Sequence, residues 1–120
     1  MMTLELPREA DAPHDARCAL DGFEHGLPPE REDAAKLLLT ELVTNAVKYG
    51  GAGPLQVELC ASREAFRAEV VDDGRGFEAQ RRDTSDTRTP GGWGLHLVDE
   101  LSDRWGMHEG STHVWFLLEK

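Results

Sequence analysis

Apolar residues change their spacing along this chain, and the changes mark its elements. Thr3–Leu6 alternates polar and apolar, as a short edge strand does, and Pro7 ends it. The spacing predicts a first helix from Pro13 to about Glu24, closing near Gly26. Pro28 and Pro29 then break the chain. Pro29 suits the first turn of a second helix, and Glu30, Glu32 and Asp33 complement the positive end of its dipole. That helix is expected to run to about Tyr49, where Gly50 and Gly51 stop it. At ~100° per residue, Ala34, Leu38, Leu42, Val43 and Ala46 share one wide apolar arc.

Further along, the period falls to two. Leu55, Val57 and Leu59 read as one strand, and Phe66, Ala68 and Val70, running into Val71, read as the next. A polar turn at Arg63–Glu64 joins them as a hairpin. The stretch from Glu78 to Pro90 has no apolar period and is predicted to be a long mobile loop, a kind of segment that is commonly functional. Leu95, Val98 and Leu101 form one stripe of a helix from Gly94 to about Asp103. Two last strands follow, near Arg104–His108 and His113–Leu118, across Glu109-Gly110-Ser111. Helices gather early and strands late, which predicts an α+β class with helices on one face of a sheet. With no internal repeat and no linker, residues 1–120 are expected to form one domain.

Composition narrows the possible partners. With 39% hydrophobic and 30% charged residues, the chain can build a core, which excludes global disorder. No apolar run approaches the roughly 20 residues of a membrane helix, and the first 15 residues lack a signal-peptide layout. No membrane role and a cytoplasmic location are therefore expected. A formal net charge of −10 repels phosphate backbones, so direct nucleic-acid binding is not expected. The same field opposes a nucleotide, so any nucleotide site must supply local positive potential from a metal, backbone N–H groups or placed cations. Cys18 and Cys60 are far apart, form no zinc spacing with the five histidines, and read as small apolar fillers.

Three segments carry candidate chemistry. Glu41 and Asn45 are four residues apart on the second helix, so they stack on one face, at the margin of its apolar arc. A carboxylate and a carboxamide placed there are partly desolvated and need partners; read alone, they fit a surface pair bonded across one turn somewhat better than a site. In Val70-Val71-Asp72-Asp73-Gly74-Arg75-Gly76, a buried-looking strand ends in a carboxylate followed by glycines. Such a carboxylate can accept from an exocyclic amine while glycine lets the backbone approach a ligand, although Asp-Gly also serves simply to turn the chain. In Gly91-Gly92-Trp93-Gly94-Leu95, glycines open a helix whose free N–H groups favour phosphate. The segment is neither a P-loop nor a dinucleotide fingerprint, and glycine there also relieves strain at a loop-to-helix junction.

The order of the three segments resembles the GHKL family of ATPases and kinases. Glu41-Leu42-Val43-Thr44-Asn45-Ala46 looks like its N box, Asp72-Asp73-Gly74-Arg75-Gly76 like its D-x-G-x-G motif, and Gly92-Trp93-Gly94-Leu95 like its glycine-rich motif after the ATP lid. The likeness extends from about Leu4 to Leu118. It implies a Bergerat-type fold: a two-layer α/β sandwich with a mixed, mostly antiparallel sheet and a lid at about 78–92. Within the family the chain is most similar to bacterial anti-sigma factors with serine kinase activity, which carry Glu-x-x-x-Asn in the N box. Many stand-alone relatives also show Leu-Val-Asp-x-Leu-x-Asp-x-Trp-Gly, which Leu97–Gly106 reproduces. A histidine-kinase core is not expected, because no dimerisation helix pair bearing a phosphoacceptor precedes the domain. One departure stands at His113, where relatives place a Thr near the adenine.

The resemblance implies ATP and Mg²⁺ as cofactors. Asp72 would accept the adenine amine, and Gly74 and Gly76 would let the backbone pass the ring. Asn45 would ligate Mg²⁺, while backbone at Gly92, Gly94 and Leu95 would cradle phosphates. Lys48 could also reach them or face solvent. Glu41 would be the catalytic base toward a serine of an anti-sigma factor antagonist, and a sigma factor would be the second protein partner. A homodimer paired through the Thr3–Leu6 edge is a further expectation. Two other functions stay open: a non-catalytic ATP-binding regulatory module of the same fold, and an acidic interaction domain that binds no nucleotide.

Overall fold

A computed structural model describes residues 1–49, 53–71, 95–107 and 114–120. The elements, in chain order, are β1 (Met2–Leu6), α1 (Ala12–Asp21), α2 (Pro29–Tyr49), β2 (Leu55–Ala61), β3 (Ala65–Val71), α3 (Leu95–Leu101), β4 (Arg104–Met107) and β5 (Val114–Glu119). The α+β class predicted from the sequence is the class observed. Five strands form one sheet in the order β1-β2-β3-β5-β4, and every pairing is antiparallel. The expected mixed character is therefore absent among the described strands. β3 and β4 do run in the same direction, but β5 lies between them, so they never pair.

Local signals explain the helices. α2 starts on Pro29, with Glu30 and Glu32 in its first turn and Lys48 in its last, all favourable to its dipole. At 21 residues it spans roughly 32 Å, the longest element described. α1 places Ala12, Ala16 and Leu20 on one buried stripe at i, i+4 spacing. It ends at Asp21, three residues short of the predicted Glu24. Gly22 follows, and its N–H bonds to the carbonyls of Cys18 and Ala19 close the last turn.

The core lies between the helices and one face of the sheet. From α2, Ala35, Leu38, Leu39, Leu42, Val43 and Ala46 are fully buried. Leu55, Val57 and Leu59 of β2, and Phe66, Ala68 and Val70 of β3, point at them, as the period of two requires. Phe66 is the hub: its ring centroid is 6.1 Å from that of Phe116 and 6.2 Å from that of Phe23. Truncation of such a buried ring to Ala costs about 3–5 kcal/mol. Helix α2 packs on β3, β5, α1 and α3, so it is the element through which all layers communicate.

The β2–β3 hairpin turns where the sequence predicts. The Ser62 hydroxyl accepts the backbone N–H groups of Glu64 at 3.3 Å and Ala65 at 3.2 Å, a side chain standing in for backbone within the turn. Both cysteines are exposed, so the expected filler role does not hold. Cys60 falls on the outward side of β2 between the inward Leu59 and the end of the strand. Trp105 packs against the core. Trp115 instead lies half-buried on the open face, with the Arg67 guanidinium 5.1 Å from its ring centroid.

Candidate functional site

The strand register brings four strand ends together beside the residue that precedes one candidate segment. Leu6 pairs with Leu55, Gln56 with Val71, and Val70 with Val114. The last residues of β1 and β3 and the first residues of β2 and β5 therefore share one sheet end. Asp72 is the next residue in sequence after Val71. Leu95 is the first residue of α3, which packs on α2. Asp72, Gly74, Gly76, Gly92 and Gly94 lie outside the described residues, as do the expected lid at 78–92 and His113. The structure thus places Glu41, Asn45 and Lys48 together on α2 and locates the flanks of the other two segments.

On α2 the burial gradient is steep. Glu41 is half-buried, Asn45 is 4% exposed, and Lys48 is exposed. Asn45 and Glu69 are the buried polar or charged residues among those described. The two differ in their bonding: Glu69 takes a hydrogen bond from Arg67 Nη1 at 3.2 Å, whereas Asn45 Nδ2 is buried with no partner among the described residues. An amide N–H buried without an acceptor costs about 1–3 kcal/mol. Asn45 also sits between fully buried Leu42, Val43 and Ala46, where an apolar side chain would suit the helix better. The sequence placed this amide at the edge of the apolar arc; the structure puts it inside.

The unpaired amide fits the expected ligands. Nδ2 would donate to a phosphate oxygen. A half-turn of the carboxamide exchanges Nδ2 and Oδ1 without changing its shape, so the same side chain can offer a hard oxygen to Mg²⁺. Thr44, Val47 and Lys48 of the same helix line an open groove of about 250 Å³ with Glu9, Ala10 and Pro13, and Asn45 is not part of that lining. Among the described residues no group of three or more His, Cys, Asp or Glu could hold a metal by itself. A cation held by Asn45 would need donors from a ligand as well.

Basic side chains bolt α2 in place through bonds that carry no local signal in the sequence. Arg17 Nη1 donates to the Thr40 hydroxyl at 2.9 Å, immediately before Glu41. Lys36 pairs with Asp21 at 2.7 Å; this hydrogen bond, with the nearby carboxylates of Glu32 and Asp33, raises the Lys36 pKa above its ordinary value. Arg31 donates to the Asp103 carboxylate and, at 2.9 Å, to the Glu119 carbonyl. Asp103 in turn accepts the Glu119 N–H at 2.6 Å. Asp99 accepts from the Trp105 indole at 3.0 Å. Two acids of the Leu97–Gly106 run therefore have structural work: they fasten the corner between α3 and β4 to α2 and β5.

This architecture, with its carboxylate and desolvated carboxamide one turn apart on the central helix, agrees with a family match over residues 6–118 to the histidine kinase-like ATPase domain. The chain belongs to this family. It is also 31% identical, over 144 aligned positions covering 99% of its length, to the sensor histidine kinase AruS of Pseudomonas aeruginosa. It spans about 14% of the length of that relative. As a histidine kinase-like ATPase domain the chain is an ATP-binding module. Among the described residues, no helix is long and apolar enough to cross a membrane.

Proposed function

We propose that the chain binds ATP with Mg²⁺ and transfers the γ-phosphoryl group to a serine of an anti-sigma factor antagonist, thereby regulating a sigma factor. The observation that carries the reading is the buried, unpartnered amide of Asn45 one helical turn beyond the half-buried Glu41. Mg²⁺, which Asn45 would hold, would supply the local positive charge that a chain of net charge −10 otherwise lacks. Asn45 orients that assembly. Leu42, Val43 and Ala46 exclude water beneath it. The Glu41 carboxylate accepts the proton of the serine hydroxyl as its oxygen bonds to the γ-phosphorus, and the bond from that phosphorus to the ADP oxygen breaks. Asp72 selects adenine through its exocyclic amine. β1 is an edge of the sheet, as pairing with a second copy requires.

A second reading is favoured by the similarity to a sensor histidine kinase: the same site transferring phosphate to a histidine of another segment or protein. A third is a regulatory module that binds ATP without transfer. Incubation with radiolabelled ATP and a candidate antagonist separates all three. Acid-stable, alkali-labile label on the antagonist supports serine transfer. Acid-labile label indicates histidine, and binding without label indicates the regulatory module.

A further inference from the structure

We propose that Arg8 is a positioning residue of the nucleotide site, acting on Asn45 through the backbone at the end of α2; this rests on the reading of Asn45 above. Arg8 lies in the five-residue strap between β1 and α1. Its Nη1 donates to the carbonyl of Ala46, the residue after Asn45. Its Nε donates to the carbonyl of Gly53 at 3.0 Å, just ahead of β2. One half-buried guanidinium thus spans the link between α2 and β2.

The need for such a clamp follows from the chain. The last four carbonyls of a helix lack partners within it, and they form the negative end of its dipole. α2 ends at Tyr49, so Ala46 begins that set. The residues that follow, Gly50-Gly51-Ala52, have no polar side chain that could cap it. Gly53 has φ +89°, a left-handed backbone that suits glycine. Arg8 supplies what the link cannot: a cation at the helix C-terminus and two fixed donors. The strap is itself tightly turned, with Glu9 N–H bonded to the Pro7 carbonyl at 2.9 Å and Ala12 N–H to that of Glu9 at 3.0 Å. The backbone on either side of Arg8 is therefore hydrogen-bonded where the strap joins β1 to α1. A metal ligand must be held within about 0.5 Å of its working position, and Asn45 is adjacent in the chain to the carbonyl that Arg8 grips.

The test is calorimetric ATP binding, with Mg²⁺ and with EDTA, for the wild type and the Arg8→Ala, Arg8→Lys and Asn45→Ala variants, each checked for folding by thermal melting. Loss of an outer-shell partner weakens metal affinity by about 10–100-fold. Arg8→Ala is expected to lose that much ATP affinity in Mg²⁺ and to stay within a few-fold of the wild type in EDTA. Arg8→Lys, a point charge that reaches one carbonyl rather than two, is expected to recover part of the loss and serves as the folded variant if Arg8→Ala melts. Millimolar guanidinium is expected to restore Arg8→Ala in part. Equal weakening with and without Mg²⁺, or Mg²⁺-dependent binding at the wild-type level, overturns the proposal while Asn45→Ala still reports on the site. A wild type that binds ATP no better with Mg²⁺ than with EDTA overturns the underlying reading and the proposal with it.

Discussion

Substituting Asn45 by Leu should make the nucleotide-free protein more stable and its nucleotide complex weaker. Both side chains have the same number of heavy atoms, so the change replaces a polar group by an apolar one of similar shape. Asn45 is 4% exposed, and its Nδ2 has no partner among the described residues. Removing an unsatisfied buried donor recovers about 1–3 kcal/mol, and leucine is also the better helix former. For 120 residues, the unfolding entropy is about 250 cal/mol/K, so each kcal/mol corresponds to about 4 °C. The apo variant is therefore expected to melt about 4–12 °C above the wild type. Ligand addition reverses the ranking of gains. At 100 times its Kd, ATP with Mg²⁺ stabilises the wild type by about 2.7 kcal/mol, or about 11 °C. A variant with about 100-fold weaker binding gains about 0.4 kcal/mol, or roughly 2 °C. Differential scanning fluorimetry with and without ATP and Mg²⁺ measures both shifts. An apo variant that melts below the wild type would mean that the amide is satisfied and needed by the fold. A variant that keeps the whole ligand shift would remove Asn45 from the site.

Two other perturbations probe neighbouring parts of the same helix. Glu41→Ala is expected to leave ATP affinity within a few-fold and to reduce phosphotransfer to an acceptor by about 10²–10⁴, the usual worth of a positioned base; transfer at the wild-type rate would end its catalytic role. The Lys36–Asp21 pair sets a pH signature. Asp21 raises the Lys36 pKa above 10.5, so the pair's contribution is complete below 10.5 and is lost as pH rises through the higher folded value. Melting curves should show a small gap between wild type and Asp21→Asn that is constant through neutral pH and closes above 10.5; a gap that widens with alkaline pH would contradict the assignment.

Local features were legible in the sequence; long-range ones were not. Pro29 marked the start of α2 because proline acts through the backbone of its own turn; Gly50 and Gly51, expected to stop it, lie outside the described residues. The period of two gave both strands of the β2–β3 hairpin and its turn. Leu38, Leu42, Val43 and Ala46 were read correctly as core, while Ala35 and Leu39 were missed because α2 packs against α1, α3 and the sheet at once. A helix gripped on several sides buries more than one arc. The place of β5 between β3 and β4 depends on pairing across the sheet, which no local pattern encodes. Nothing local in the sequence marks Arg8, Arg17 or Arg31. Their partners lie 38, 23 and 72 or more residues away, beyond any window in which spacing is informative. Glu41 and Asn45 stood out because a polar pair at i, i+4 on an apolar helix margin is itself a local contradiction, and such contradictions gather at functional sites.

The central claim is a Mg²⁺-dependent site that selects adenine, and competition between nucleotides tests it most directly. Titrating the protein with ATP and with GTP in a calorimeter, each with Mg²⁺ and with EDTA, yields four affinities. The Asp72 carboxylate can accept from the adenine amine, whereas guanine presents a carbonyl at that position. A hydrogen bond to a charged group is worth about 1.5–3 kcal/mol, so ATP should bind about 10–100-fold more tightly than GTP, and only with Mg²⁺ at full strength. Equal affinity for the two nucleotides, or the same ATP affinity in EDTA, would contradict the account.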